Sequence, residues 1–209
     1  MKKIMFDNHY GLENAVLNGT KTMTRRLVAT KGTHKLVEKM MNECDLNGVC
    51  RYLIERYSRF QEGDVVAIAQ RYWDLRDCDA FYEALEKADP WFPLECIKGE
   101  KGCHNKMFVK AKWMPHQICI TDIKVERLQD ISDEDCMNEG IYIDETRYFD
   151  VKGFKDGKAY CLDVTRKQTN TWFFPTPKLA FEGLIRKMYG KKVWDDNPYV
   201  FVYTFELVK

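Results

Sequence analysis

The segment Lys21-Thr22-Met23-Thr24-Arg25-Arg26 gathers one primary amine, two hydroxyls and two guanidinium groups in a short stretch of chain. Its plainest chemistry is anion binding, because arginine forks match phosphate and carboxylate geometry. Thr22, Thr24 and Arg26 fall on one face of an extended strand by the period of two, so their side chains are expected to converge. The same groups also have ordinary readings: Thr24 as a strand former, and Lys21 with the arginines as phosphate ligands only.

Positioning these groups requires a helix, a turn and a strand in succession. Residues 10 to 18 place Leu12, Ala15 and Val16 at helical spacing, and Gly19 follows as a left-handed stop. Thr22 to Val28 then reads as a strand. On an unbroken strand Lys21 and Thr24 would point to opposite faces, so they share a site only if the chain turns between Gly19 and Thr22.

Beyond this unit, residues 35 to 60 suggest two helices broken near Asp45-Leu46-Asn47-Gly48. Glu62-Gly63-Asp64 reads as a turn into a buried strand, Val65 to Ala69. A short helix is expected around Ala80 to Lys87, a strand at Met107-Phe108-Val109, and a longer strand from Ile118 to Leu128 whose alternation breaks once, as at a bulge. Ser132 caps one or two helical turns that close at Gly140, with an acid three residues on. Residues 141 to 171 suggest a hairpin, Thr176-Pro177 starts a helix that Gly190 ends, and Asn197 to Leu207 is dense enough in β-formers to be a central strand.

A chain of 209 residues sits at the upper edge of one ordinary domain, and 45% hydrophobic with 31% charged residues is a globular balance. No apolar run approaches the ~20 residues of a membrane span, and the first residues show no apolar signal segment, so a cytoplasmic protein is expected. The formal net charge of +1 lacks the global basicity of many duplex binders, which leaves nucleic-acid contacts to local clusters. The eight cysteines contain no Cys-x-x-Cys, and Cys96 with Cys103-His104 has no second half-site, so they read as thiols rather than a zinc site.

Four stretches, in order, carry a resemblance: Val16-Leu17-Asn18-Gly19-Thr20-Lys21-Thr22-Met23-Thr24-Arg25-Arg26; Gly63-Asp64-Val65-Val66; Val125 to Asp135 with Glu139-Gly140-Ile141; and Trp194 through Asn197-Pro198 into the last strand. The chain resembles ASCH-domain proteins of the bacterial and phage type. That resemblance implies one α+β domain over 1–209, a small PUA-like β-barrel with flanking helices and insertions at 33–60, 75–106 and 141–171. It also implies a cleft for RNA or a modified nucleoside or nucleotide; no cofactor is expected. Some members are similar to amidohydrolases that deacetylate N(4)-acetylcytidine, and the matching positions are Lys21, Thr24 and Glu139.

In that enzyme reading Thr24 is the nucleophile, Lys21 its base and Glu139 the acid for the leaving amine. Lysine titrates near ~10.4 when unperturbed, so Lys21 needs burial or cationic neighbours such as Arg25 and Arg26. Glu139 ends a helix, where unpaired carbonyls disfavour a carboxylate and suit a proton donor. Thr22, Arg25, Arg26 and Gln70 complete the expected cleft, and Tyr72 and Trp113, with Trp73 and Trp172, are candidate stacking platforms for a base. Two departures remove charge from the rim: Ala69-Gln70 stands where relatives carry Arg-Glu, and His116-Gln117 where relatives carry arginines. A third class, a protein-interaction module acting through the insertions, has no positive feature behind it.

Overall fold

The computed structural model describes residues 1–28, 34–43, 45–144, 158–162 and 172–208. Its centre is a mixed five-stranded sheet built from β1 (Lys2–Ile4), β2 (Met23–Leu27), β3 (Val65–Ile68), β4 (Gln117–Arg127) and β7 (Tyr199–Val208), in the order β1-β3-β4-β7-β2. A small second sheet pairs β5 (Tyr142–Ile143) with β6 (Tyr160–Cys161). Only the β1–β3 pair is parallel in the large sheet. The protein is therefore α+β, and among the described residues no strand pairing closes the large sheet.

β4 and β7 are long and central, as their density of branched and aromatic residues requires. The register between them shifts between Ile120 and Asp122, which is where the alternation in the sequence breaks. Such a bulge bends a strand and increases its twist. A side chain links the two outer strands: Arg26 on β2 donates from Nη2 to the carbonyl of Met5, one residue past β1, at 2.6 Å.

Helix α1 (Leu12–Leu17) buries Leu12, Ala15 and Val16 against the sheet and stops at Gly19, whose φ of 78° is left-handed. The expected turn follows. Lys21 donates its backbone N–H to Ala15, Thr22 donates to Asn138, and the strand begins only at Met23. The first insertion folds as α2 (His34–Glu43) and α3 (Leu46–Tyr57). Asp45 caps α3 by accepting from the Gly48 N–H at 2.7 Å, so the break falls at Asp45 and Gly48 lies inside the helix.

The second insertion carries α4 (Asp79–Ala88) and a run of single 3-10 turns. Met107-Phe108 is not a strand. It lies in one of those turns, capped by Asn105 Oδ1 on the Met107 N–H, and both side chains are exposed. A separate core of Tyr72, Leu75, Phe81, Leu85, Val109, Trp113 and Met114 anchors this insertion to Ala67 and Ala69 at the sheet. Helix α5 (Asp133–Asn138) is capped by Ser132, and α6 (Pro177–Tyr189) by Thr176. Gly190 separates α6 from α7 (Lys191–Asp195). Of the 141–171 hairpin only the strand ends are seen, since 145–157 and 163–171 lie outside the described residues. No helix among the described residues is long and apolar enough to cross a membrane.

Packing in the second core is tight enough to test. A Cβ added at Gly102 would stand 2.4 Å from the Tyr72 ring. The ring cannot swing away, because Phe81 and Trp113 hold it with centroids at 5.6 and 5.3 Å. Gly102→Ala is therefore expected to lower unfolding free energy by about 1–3 kcal/mol, read from the urea midpoint with an unchanged slope.

Candidate functional site

The turn after α1 directs Lys21 inward, where its side chain is 2% exposed. Its Nζ donates to the Glu139 carboxylate at 2.5 Å and to the Glu139 carbonyl at 2.7 Å, across 118 residues of chain. Gly140 supplies the left-handed turn that follows, while the space around it would admit a Cβ at ordinary contact distance. Its φ of 99° ends α5, and a Cβ there would lie 3.5 Å from the Cβ atoms of both Ala15 and Lys21. Burial pushes the Lys21 ammonium below the ordinary lysine value; Glu139 works against this, while Arg26 and Arg25 add to it.

Glu139 does not simply face the carbonyls of its own helix end. It is buried between two cations, because Arg25 Nη1 also reaches it at 3.2 Å. The expected proton donor thus sits in an environment built for a carboxylate acceptor.

Arg25 holds a second layer of charge together. It donates from Nε and Nη2 to Glu126 at 3.0 and 2.5 Å, from Nη2 to Asp135 at 2.7 Å, and from Nη1 to the Met23 sulfur at 3.3 Å. Lys124 completes the cluster, 3.2 Å from Glu126 and 3.3 Å from Asp135. Every nitrogen of Arg25 is engaged, so it supports the site instead of meeting a ligand.

Thr24 is buried and lines one small cavity of about 40 Å³ together with Lys21, Arg25, Arg26 and Glu139; Phe6 and Leu184 are among its apolar walls. That volume accommodates water or a small acyl group, not a nucleoside. Beside it lies an open cleft of about 470 Å³, which shares Met5, Phe6, Asp7, Arg26 and Met188 with the cavity and adds, among others, Arg71, His104, Asn105 and Lys106. Arg26 stands at the junction of the two. Among the described residues it has no carboxylate partner, and only the Met5 carbonyl accepts from it.

No protein-family model, curated protein or solved structure matches the chain. The geometry alone must therefore sort the remaining candidates.

Thr22 lies just before β2, half-buried, with its backbone clasped between Asn138 and Phe205, and it is not part of the cavity wall. Gln70 is buried behind the cleft, where its amide donates to Glu13 at 3.2 Å and its oxygen meets His116 Nδ1 at 2.6 Å. Glu13 in turn receives Lys106, which also binds the Phe6 carbonyl and Asn8. Gln70 is thus a brace for the cleft wall, spent on partners of its own. Burial keeps His116 below the ordinary histidine value, with Glu13 opposing.

Tyr72 and Trp113 are not stacking platforms. Both are fully buried in the second core, with Tyr72 Oη accepting from the Lys110 N–H at 2.7 Å and Trp113 Nε1 donating to Asp89 at 2.7 Å. Burial pushes the Tyr72 phenol up to about 12. Their aromatic surface holds the insertion to β3, and no base can reach it. Trp73 and Trp172 are exposed, at positions outside the cavity and the cleft. The Cys103 thiol donates to the Ile97 carbonyl at 3.0 Å, and Cys96 is exposed.

Sequence reasoning missed Glu13, Lys106, Glu126 and Asp135. A signal existed for Glu13, which lies on the buried stripe of α1 between Leu12 and Val16. The other three converge only through pairings between elements distant in sequence.

Proposed function

We propose that the chain is an ASCH-type, PUA-like module that binds RNA or a modified nucleoside, with the base directed at the Lys21–Thr24–Glu139 cavity and the sugar-phosphate in the wider cleft. One observation carries this reading: three side chains from two segments distant in sequence line a cavity too small for a whole ligand, and it adjoins a cleft large enough for one, with an arginine that has no carboxylate partner among the described residues between them. The bulge in β4 and the Arg26 bond from β2 to the end of β1 support the PUA-like reading. Arg71 and Lys106, the latter at the end of the second insertion, also line the wide cleft, but Arg71 is paired with Asp74 and Lys106 with Glu13, which leaves Arg26 as the cleft's cation without a carboxylate partner among the described residues.

Arg26→Ala tests the binding reading. A charged hydrogen bond is worth about 1.5–3 kcal/mol, so affinity for a cytidine monophosphate should fall roughly 10- to 100-fold by calorimetry. Stability should move by no more than about 1 kcal/mol, because only one part-exposed bond to Met5 is lost. Undiminished affinity would remove the cleft from consideration.

A second reading is favoured by the shared cavity: Lys21, depressed by burial, and Thr24 are both at its wall. In an amidohydrolase of N(4)-acylated cytidine, neutral Lys21 takes the Thr24 proton and the Thr24 oxygen attacks the acyl carbon. Arg26 is the donor nearest the mouth for the developing oxyanion. Glu139 then holds the Lys21 ammonium through the tetrahedral stage, and that ammonium returns the proton to the leaving amine; the Lys21 amine next takes a proton from a water that attacks the Thr24 ester, which releases the carboxylate and restores the Thr24 hydroxyl. Release of cytidine from N(4)-acetylcytidine decides between binder and enzyme.

A further inference from the structure

A second cavity, of about 240 Å³, lies on the other side of Arg26 and shares only Arg26 and Met5 with both the Lys21 cavity and the wide cleft. Its floor is aromatic: Phe60 and Tyr203 meet edge to face at 5.3 Å, with Phe201 beside Tyr203. Its rim is Tyr57, 43% exposed at the C-terminal end of α3, and Arg59, whose guanidinium lies 5.5 Å from the centre of the Phe60 ring. No carboxylate lines it, and among the described residues neither Arg26 nor Arg59 is ion-paired. Phe60, Phe201 and Tyr203 are themselves buried, so the exposed Tyr57 ring is the stacking surface, and such a ring next to two guanidiniums without carboxylate partners is the chemistry that holds a base together with its phosphate.

We propose that this pocket, created where the first helical insertion rejoins the sheet, is a subsite for the neighbouring nucleotide of a strand, so that the ligand is single-stranded RNA and not a free nucleoside. The inference rests on the cleft reading above. Arg26 lies between the two positions and is placed to contact the phosphodiester that links them, while Tyr57 stacks on the flanking base and Arg59 meets the next phosphate. Ser58 fixes the geometry: its hydroxyl lies 2.9 Å from Tyr203 Oη and also donates to the Phe60 carbonyl at 2.5 Å, tying the end of α3 to β7. The rim is therefore held in place before a ligand arrives, which reduces the ordering cost of binding.

The test compares a labelled RNA trinucleotide, read by fluorescence anisotropy, with cytidine as an unlabelled nucleoside read by calorimetry. The wild-type protein should bind the trinucleotide at least about tenfold more tightly than the nucleoside. Tyr57→Ala and Arg59→Ala should each erase about fivefold or more of that advantage, Tyr57→Phe should retain it, and rising salt should weaken the trinucleotide more than the nucleoside. Both side chains are exposed, so melting temperatures should stay close to wild type and loss of fold would not mimic the result. A trinucleotide no tighter than cytidine, or an advantage untouched by both alanine variants, would overturn the subsite while leaving the nucleoside cleft standing. If neither ligand bound at all, the cleft reading would fail and the subsite with it.

Discussion

Arg25→Met should destabilise the protein by about 3–5 kcal/mol, the largest loss expected from any single substitution in the charged cluster. The side chain is 1% exposed and is shared by Glu126, Asp135 and Glu139. Methionine fills much of the volume, so the loss comes from charge: three carboxylates are left around an apolar group, with Lys124 and Lys21 at their edges. Removing one partner of a buried pair costs more than the pair itself contributes, because the other charges stay desolvated.

The pH dependence gives this prediction a second, independent check. Burial tends to raise the Asp135 carboxyl, but Arg25 and Lys124 outweigh it and hold it below the usual aspartate value. A depressed carboxyl contributes stability that is present above its unfolded pKa of ~3.9 and disappears as pH falls through the lower folded value. Wild type should therefore lose stability in that acid window. In Arg25→Met, protonation relieves repulsion among the carboxylates, so the gap between the two proteins should narrow below about pH 4. A gap that is constant from pH 7 to 3, measured by urea unfolding, would mean that Arg25 acts through packing against Phe181 and Met23 alone.

Lys21→Met should have the opposite profile, modest for stability and severe for function. Glu139 keeps Arg25 as a partner, and the substitution removes an ammonium that burial already disfavours. The stability cost should thus be smaller than for Arg25→Met. If the cavity is catalytic, turnover of N(4)-acetylcytidine should drop roughly 10²–10⁴-fold, the range supplied by a positioned base. Wild-type turnover should rise with pH as Lys21 loses its proton, and the rise should come below the ordinary lysine pKa of ~10.4. If the cavity only binds, Lys21→Met should weaken nucleoside affinity, and no turnover should appear in either protein. Equal affinity and equal turnover in wild type and variant would sink both readings of the cavity.

The contrast between Arg25 and Lys21 could not be drawn from the sequence, where both are cations in one motif. Adjacent strand positions alternate faces, so the string itself separates Arg25 from Thr24 and Arg26. It does not say what each face meets. Glu126 comes from β4, with Asp135 and Glu139 from α5 and its end, so Arg25 is neutralised by segments about a hundred residues away. The same holds for Tyr72 and Trp113, which have the composition of a stacking platform and the surroundings of a core.

The sequence by itself determined the elements whose signals are local. The Gly19 stop, the Ser132 and Thr176 caps, the Gly190 terminus, the break in β4 and the β-dense last strand all follow from backbone preferences and short-range periodicity. The turn at Lys21 follows too, because a helix stop directly before a strand leaves no other geometry. Only the tertiary structure decided which cations are free. Charge compensation acts through space, over a few ångströms between elements whose pairing order is β1-β3-β4-β7-β2, and a linear string carries no record of those distances. Hence Arg26 and Arg59 emerge at the cavities while Arg25 disappears into its carboxylates, although their local sequence does not say what each of them faces.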